Sequence, residues 1–209
     1  MNKYQGLQQK ALGVAFILAP LLLVMGSAAV VMGIGLTPFE PYSWVDGLFM
    51  TYGFLLMIPV SFELARILGQ RSPVFGLICA IMGLGWGMSI VPGALRVVQM
   101  ALVNVGLNES IWTVMESTPA VLLIIIPSLV GILSLLLLGI GLFWKGGIPR
   151  WTAGLIIVGS AVFVISVSSP LESIISPVAN VAFLVALAPI GLRYLTGGQQ
   201  TDEAGTTAA

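Results

Sequence analysis

PVFGLICAIMGLGWGMSIVPGALRVVQ, residues 73–99, decides the fold. It is about 27 residues long against the roughly 20 that a helix needs to cross a bilayer, and its only charge, Arg96, lies near its far end. At the helical repeat Gly76, Ala80, Gly83, Gly87 and Ala94 fall within about 60° of one another, so the stretch predicts a transmembrane helix with one narrow face of small residues. Such a face lets neighbouring backbones approach closely, and in lipid close packing is a main source of helix–helix attraction. On a regular helix Arg96 projects roughly 200° from the centre of that face, so the packing face and the charge need not serve one site.

The remainder of the chain has the same character. Of its 209 residues 58% are hydrophobic and only 8% charged, with a mean hydropathy of +1.08. A soluble domain carries about 25% charged residues, so most of this surface cannot face water. Apolar runs at 11–36, 47–68, 74–99, 120–144, 151–168 and 174–195 predict an all-α bundle of six transmembrane helices. A polar segment, 1–10, precedes this domain of 11–196, and a Gly-, Thr- and Gln-rich tail, 197–209, with the composition of a disordered segment follows it. Ser27-Ala28-Ala29 looks weakly like a signal-peptidase site, but apolar character runs on to Leu36, so the first run is read as an uncleaved helix. The loop 37–44 carries Tyr42 and Trp44. The connection 101–119 mixes apolar residues with Glu109 and Glu116, which predicts a helix lying at the interface.

Basic residues orient the chain. With the N-terminus inside, the inner segments hold Lys3, Lys10, Arg66, Arg71, Lys145, Arg150 and Arg193, and the outer side holds only Arg96. That asymmetry gives both termini inside. Trp144, Trp151 and Tyr194 then mark the inner boundary, and Tyr42, Trp44 and Trp112 the outer one.

The two halves share a faint pattern at offsets of 104 to 107 residues. Pro20 followed by Gly33-Ile34-Gly35-Leu36 resembles Pro127 followed by Gly139-Ile140-Gly141-Leu142. Gly47-Leu48 with Val60-Ser61 resembles Gly154-Leu155 with Val167-Ser168, and Ser72-Pro73-Val74 resembles Ser176-Pro177-Val178. Three spans per half would make an inverted repeat, an arrangement found in carriers.

Candidate chemistry is sparse. Histidine is absent and Cys79 is the single cysteine, which removes the commonest zinc ligand, a Ser–His pair and any internal disulfide; no catalytic, cofactor or metal site is expected. A net charge of zero gives no footprint for nucleic acid. Arg96 is either an anion contact in an outward-facing cavity or a structural arginine paired with Glu116, Asp46 or Glu172; the pair is the expectation. Glu63 is the only acid expected within the hydrocarbon, three residues before Arg66, a spacing that permits an intrahelical ion pair ending the span; a coupling-ion or proton site is the sharper alternative. Pro20, Pro59, Pro92, Pro127 and Pro189 each free a carbonyl one turn earlier.

The segment LFWKGGIPRWTAGLIIVGSAVF, 142–163, resembles a turn of small, uncharacterised six-helix membrane proteins of bacteria. Lys145, Gly147, Ile148, Pro149, Arg150 and Trp151 carry the likeness. It implies a multi-pass protein of the prokaryotic plasma membrane and nothing about a substrate. Two functions compete: a non-enzymatic accessory or scaffold protein that packs with itself or a membrane partner through the small-residue face, and a small-solute or ion transporter or channel using Arg96 and Glu63. An enzyme would have to work with Glu63 or the outer acids and no histidine.

Overall fold

The computed structural model describes residues 3–37, 40–107, 117–167 and 172–197. Helix α1 (Lys3–Val31) leads through a turn into a two-stranded antiparallel ladder, β1 (Leu36–Thr37) and β2 (Glu40–Ser43), with Leu36 opposite Ser43. Then come α2 (Trp44–Gly69), α3 (Pro73–Gly83) and α4 (Trp86–Asn104). A helical turn at Thr118–Ala120 and a π-helical stretch at Val121–Ile125 lead into α5 (Ile126–Lys145), followed by α6 (Arg150–Val167) and α7 (Glu172–Leu195). Five helical stretches are long and apolar enough to cross a membrane: Tyr4–Val31, Trp44–Gly69, Pro73–Asn104, Thr118–Lys145 and Ser173–Leu195. The stretch Arg150–Ser166 is apolar but shorter, about 25 Å at the helical rise.

The helices form a closed ring. α1 packs on α2, α2 on α3 and α4, these on α5, α5 on α6, α6 on α7, and α7 returns to α1. α2 also touches α5, which makes it the most central element. Buried Phe16, Leu23, Met57, Leu64, Leu135, Leu138, Phe183 and Leu187 fill the interior.

The element ends differ from the hydropathy reading for local reasons. α1 starts at Lys3 rather than 11, because the Gln-rich segment is made of good helix formers. It stops at Val31, short of Leu36, where Gly33 and Gly35 turn the chain with φ +68° each. The 37–44 loop is in part the β1–β2 ladder. Ser43 caps α2, its Oγ accepting from the amides of Val45 (3.0 Å) and Asp46 (3.3 Å), with Asp46 in the first turn. Ahead of Pro127, which has no N–H, the Ile126 amide reaches back to the Val121 carbonyl as a π turn. Of the connection 101–119 read as an interfacial helix, residues up to Asn104 continue α4 instead and Thr118–Ala120 open the next helical stretch, while 108–116, with Glu109, Trp112 and Glu116, lie outside the described residues, as does the tail from 198.

The span read into 74–99 lies within one membrane-length helical stretch, Pro73–Asn104, but the helix is not regular throughout. α3 ends at Gly83, and the chain passes through i→i−3 hydrogen bonds (Leu84 N to Ile81 O, 3.2 Å; Gly85 N to Met82 O, 3.0 Å; Gly87 N to Leu84 O, 3.0 Å) before α4 begins at Trp86. Glycines at 83, 85 and 87 make the helix weak here. What uses the weakness is α5: a Cβ on Gly85 would sit 2.1 Å from the Pro127 carbonyl oxygen and 2.5 Å from the Gly131 nitrogen. The break therefore seats backbone directly on backbone.

The single face of small residues is divided by this break. On α3, Gly76 packs on Gly69 and Ala65, a Cβ there lying 2.6 Å from the Gly69 Cα, and Gly83 lies against Ser61. Ala80 is half-buried. Beyond the break Gly87 meets nothing within 4 Å, Ala94 is half-buried, and the buried side of α4 runs through Trp86, Ser89, Gly93 and Arg96. Gly87→Leu is accordingly expected to leave monomer stability within about 0.5 kcal/mol of wild type by thermal melting in detergent.

Candidate functional site

The charges of α2 form two clusters. Asp46 and Glu63 are seventeen residues apart, about 25 Å along the axis. The Glu63 end also carries Arg66, Arg71, Lys145, Arg150 and Arg193 and is called the basic end below.

At the basic end, Arg66 grips the Glu63 carboxylate with two parallel bonds, Nε to Oε2 at 2.8 Å and Nη2 to Oε1 at 2.6 Å. Two N–H donors matching two oxygens is the strongest geometry open to an ion pair. The Tyr194 hydroxyl donates to the same Oε1 from α7. The Glu63 side chain is only 6% exposed and that of Arg66 58%, so the carboxylate turns inward and the guanidinium outward.

This network lies in the wall of a cavity of about 770 Å³. α1 contributes Gln5, Gln8, Gln9 and Leu12, one face at helical spacing; α2 contributes Glu63, Arg66 and Ile67; α7 contributes Ile190, Arg193 and Tyr194. The fourth wall is the turn Gly147, Ile148 and Pro149. Two contacts set the shape. Gly13 and Gly191 let α1 and α7 cross backbone to backbone, a Cβ on Gly191 lying 2.6 Å from the Gly13 carbonyl oxygen, and Phe16 holds the Tyr194 ring at a centroid distance of 5.7 Å. Arg71 Nη1 donates to the Lys145 carbonyl (3.1 Å), tying the α2–α3 turn to the end of α5. Gly146 and Gly147, at φ +77° and +112°, then swing the chain in front of Ile67.

At the opposite end Arg96 of α4 forms an ion pair with Asp46 of α2 through Nη1 and Oδ2, one of the three pairings considered for it. Both are buried, at 8% and 2% exposure. The same Nη1 lies 3.0 Å from Met50 Sδ. Gly47 and Gly93 bring the helices together: a Cβ on Gly47 would meet the Gly93 carbonyl oxygen at 2.5 Å and Arg96 Cβ at 2.6 Å. Beside the pair is a void of about 20 Å³ bounded by Ser27, Val30, Met50, Ser173 and Ser176, room for a single water. Arg96 thus lies in packed protein, with a void far too small for a solute.

Between the clusters, the Oγ atoms of Ser61, Ser89 and Ser160, Nε1 of Trp86 and Oδ1 of Asn180 are buried with no hydrogen-bond partner among the described residues. Ser134 and Ser166 bond to carbonyls of their own helices. Cys79 is buried, and no group of three metal-ligating side chains occurs among the described residues.

Of the candidate charges, Glu63 and Arg66 are together in the cavity wall and Arg96 is at the other end of the bundle. Reasoning from sequence placed Tyr194 and Arg193 only as markers of the inner side, and did not single out the glutamines of α1. The one available signal was the Gln5, Gln8, Gln9, Leu12 spacing, hidden because the segment reads as a polar leader. No protein-family model, no curated protein and no solved structure matches the chain.

Proposed function

We propose that the chain is a six-span protein of the prokaryotic plasma membrane, with both termini inside, that binds a small polar solute in the basic-end cavity and carries it across the bilayer. The carrying observation is the cavity itself: about 770 Å³, walled by four separate parts of the chain, with a buried, fully engaged carboxylate at Glu63. That size suits a small-molecule site with a few placed polar groups. Six spans are supported by the five long apolar helices plus α6, whose roughly 27 Å is close to the hydrocarbon thickness of about 30 Å. The inward orientation is supported by the basic residues, which put the cavity on the cytoplasmic side. The broken helix α3–α4 and the 3+3 repeat, which rests on sequence matches, suit a carrier. The resemblance of the KGGIPRW turn to bacterial membrane proteins supports the location. The reading is non-enzymatic, with no cofactor or nucleic acid and the lipid bilayer as surroundings.

Thermal melting of the purified protein against carboxylates, phosphates and small ammonium compounds tests it. One class is expected to raise the melting temperature, because a ligand that binds only the folded state stabilises it. Glu63→Gln, which weakens the grip on Arg66, is expected to reduce that ligand's affinity about tenfold or more. The same solute should exchange across proteoliposomes. No stabilising class, or a shift indifferent to Glu63→Gln, overturns the reading; binding without exchange removes its transport half.

A second reading, an accessory protein packing on itself or on a membrane partner, has one observation in its favour: Gly87 is a small residue whose outer side is open. Under it Gly87→Leu abolishes assembly while leaving the monomer intact.

A further inference from the structure

We propose that the basic-end cavity takes a phosphate-bearing anion, held by the guanidinium groups of Arg66 and Arg193. The inference rests on the reading of that cavity as a solute site and names its ligand class.

Glu63 is the only carboxylate among the lining residues, and it is spent: Arg66 occupies both of its oxygens, Tyr194 shares one of them, and the side chain is buried. It therefore fixes Arg66 in place and presents little negative charge to a ligand. Two of the five N–H donors of Arg66 go to Glu63, and the guanidinium carrying the others lines the cavity. Arg193, one turn of α7 beyond Ile190, lines the same cavity, is exposed, and forms no ion pair among the described residues. The lining charges are two arginines against one glutamate, a net of +1. Lys10, Arg71, Lys145 and Arg150 adjoin lining segments and add to the positive potential, which a low-dielectric wall concentrates.

The chemistry of the donors selects among anions. A carboxylate is satisfied by one guanidinium fork. A phosphate monoester or diester offers oxygens in several directions, so it can engage two forks at once, and planar guanidinium donors match its geometry. The amides of Gln8 and Gln9 on the facing α1 wall can bond to remaining oxygens or to hydroxyls of the group carrying the phosphate. Two sources supply this chemistry at an inner membrane surface: a soluble phosphate ester, or the headgroup of an anionic phospholipid.

The experiment uses the full chain in detergent, titrated by calorimetry with inorganic phosphate, glycerol 3-phosphate, succinate, tetramethylammonium and chloride at matched ionic strength. Phosphate and glycerol 3-phosphate are expected to bind, Arg193→Gln to weaken them at least about tenfold, and Arg193→Lys to restore part of the loss. A second arm reconstitutes the chain into bilayers of phosphatidylcholine with or without phosphatidylglycerol. Phosphatidylglycerol that is retained on purification and competes with phosphate identifies the lipid as the source; soluble phosphate binding indifferent to that lipid identifies a soluble ester. A third readout needs no arginine change: phosphate should protect Leu12→Cys, in a Cys79→Ala background, from a maleimide. If succinate or tetramethylammonium binds while neither phosphate nor phosphatidylglycerol exceeds chloride, the inference fails and the solute reading stands. Phosphate binding unchanged by Arg193→Gln also overturns it. If nothing binds, both fall.

Discussion

Asp46→Ala is expected to destabilise the protein by about 3–5 kcal/mol, because it removes one partner of a buried ion pair whose charges are already desolvated. The cost arises mainly from the desolvation that Asp46 no longer offsets at Arg96 and far less from the pair's net attraction. Asp46 and Arg96 sit where α2 and α4 cross closely at Gly47 and Gly93, and the void beside them has room for one water only. Removing both charges together should therefore recover most of the loss: Asp46→Leu with Arg96→Met is expected to melt close to wild type. Reversible denaturation in mixed micelles measures both variants. A cost for Asp46→Ala below about 1 kcal/mol, the range of an exposed pair, would show that Arg96 reaches water and that this end is not sealed.

The second large effect belongs to Gly85. Its Cβ would lie 2.1 Å from the Pro127 carbonyl oxygen, and a Cβ on Gly131 would lie 2.6 Å from the Trp86 nitrogen. Both obstacles are backbone, so no rotamer change relieves them, and α5 must move off the α3–α4 break. Gly85→Val is expected to cost about 3 kcal/mol or more, at or beyond the upper end of ordinary overpacking. Gly85→Ala and Gly131→Ala each force the same separation, so the double variant should cost less than the sum of the singles. Gly87→Leu, two residues from Gly85 and a larger change in volume, is the contrast. If Gly85→Val and Gly87→Leu melted alike, the backbone contact between the break and α5 would not exist.

These variants mark how far the sequence could be read. Hydropathy located the apolar helices because membrane spans are encoded by composition. It could not show the break after Gly83, since two of the three glycines that weaken the helix, Gly83 and Gly87, also look like part of a packing face. Whether a glycine packs or breaks depends on what lies opposite, and Gly131, far along the chain, decides it for Gly85. The Glu63–Arg66 pair was legible because its geometry is local, three residues on one helix. For Arg96 three carboxylates were candidates; its pairing with Asp46 depends on the α2–α4 crossing that Gly47 and Gly93 permit, and Glu116 and the Glu172 side chain lie outside the described residues. The cavity was hidden for the same reason: its walls come from both ends of the chain and two internal segments, none of them distinctive alone.

The proposed function requires the cavity at Glu63 to be open to water on the cytoplasmic side. Leu12 lines it and is half-buried, and Cys79, the single native cysteine, can be replaced. In a Cys79→Ala background, labelling of Leu12→Cys by a membrane-impermeant maleimide is the direct test, with exposed Val105→Cys at the opposite end as the control. Leu12→Cys is expected to label in inside-out vesicles only, and Val105→Cys in right-side-out vesicles only. Labelling of Leu12→Cys from the outside, or from neither side while Val105→Cys labels, would contradict that requirement.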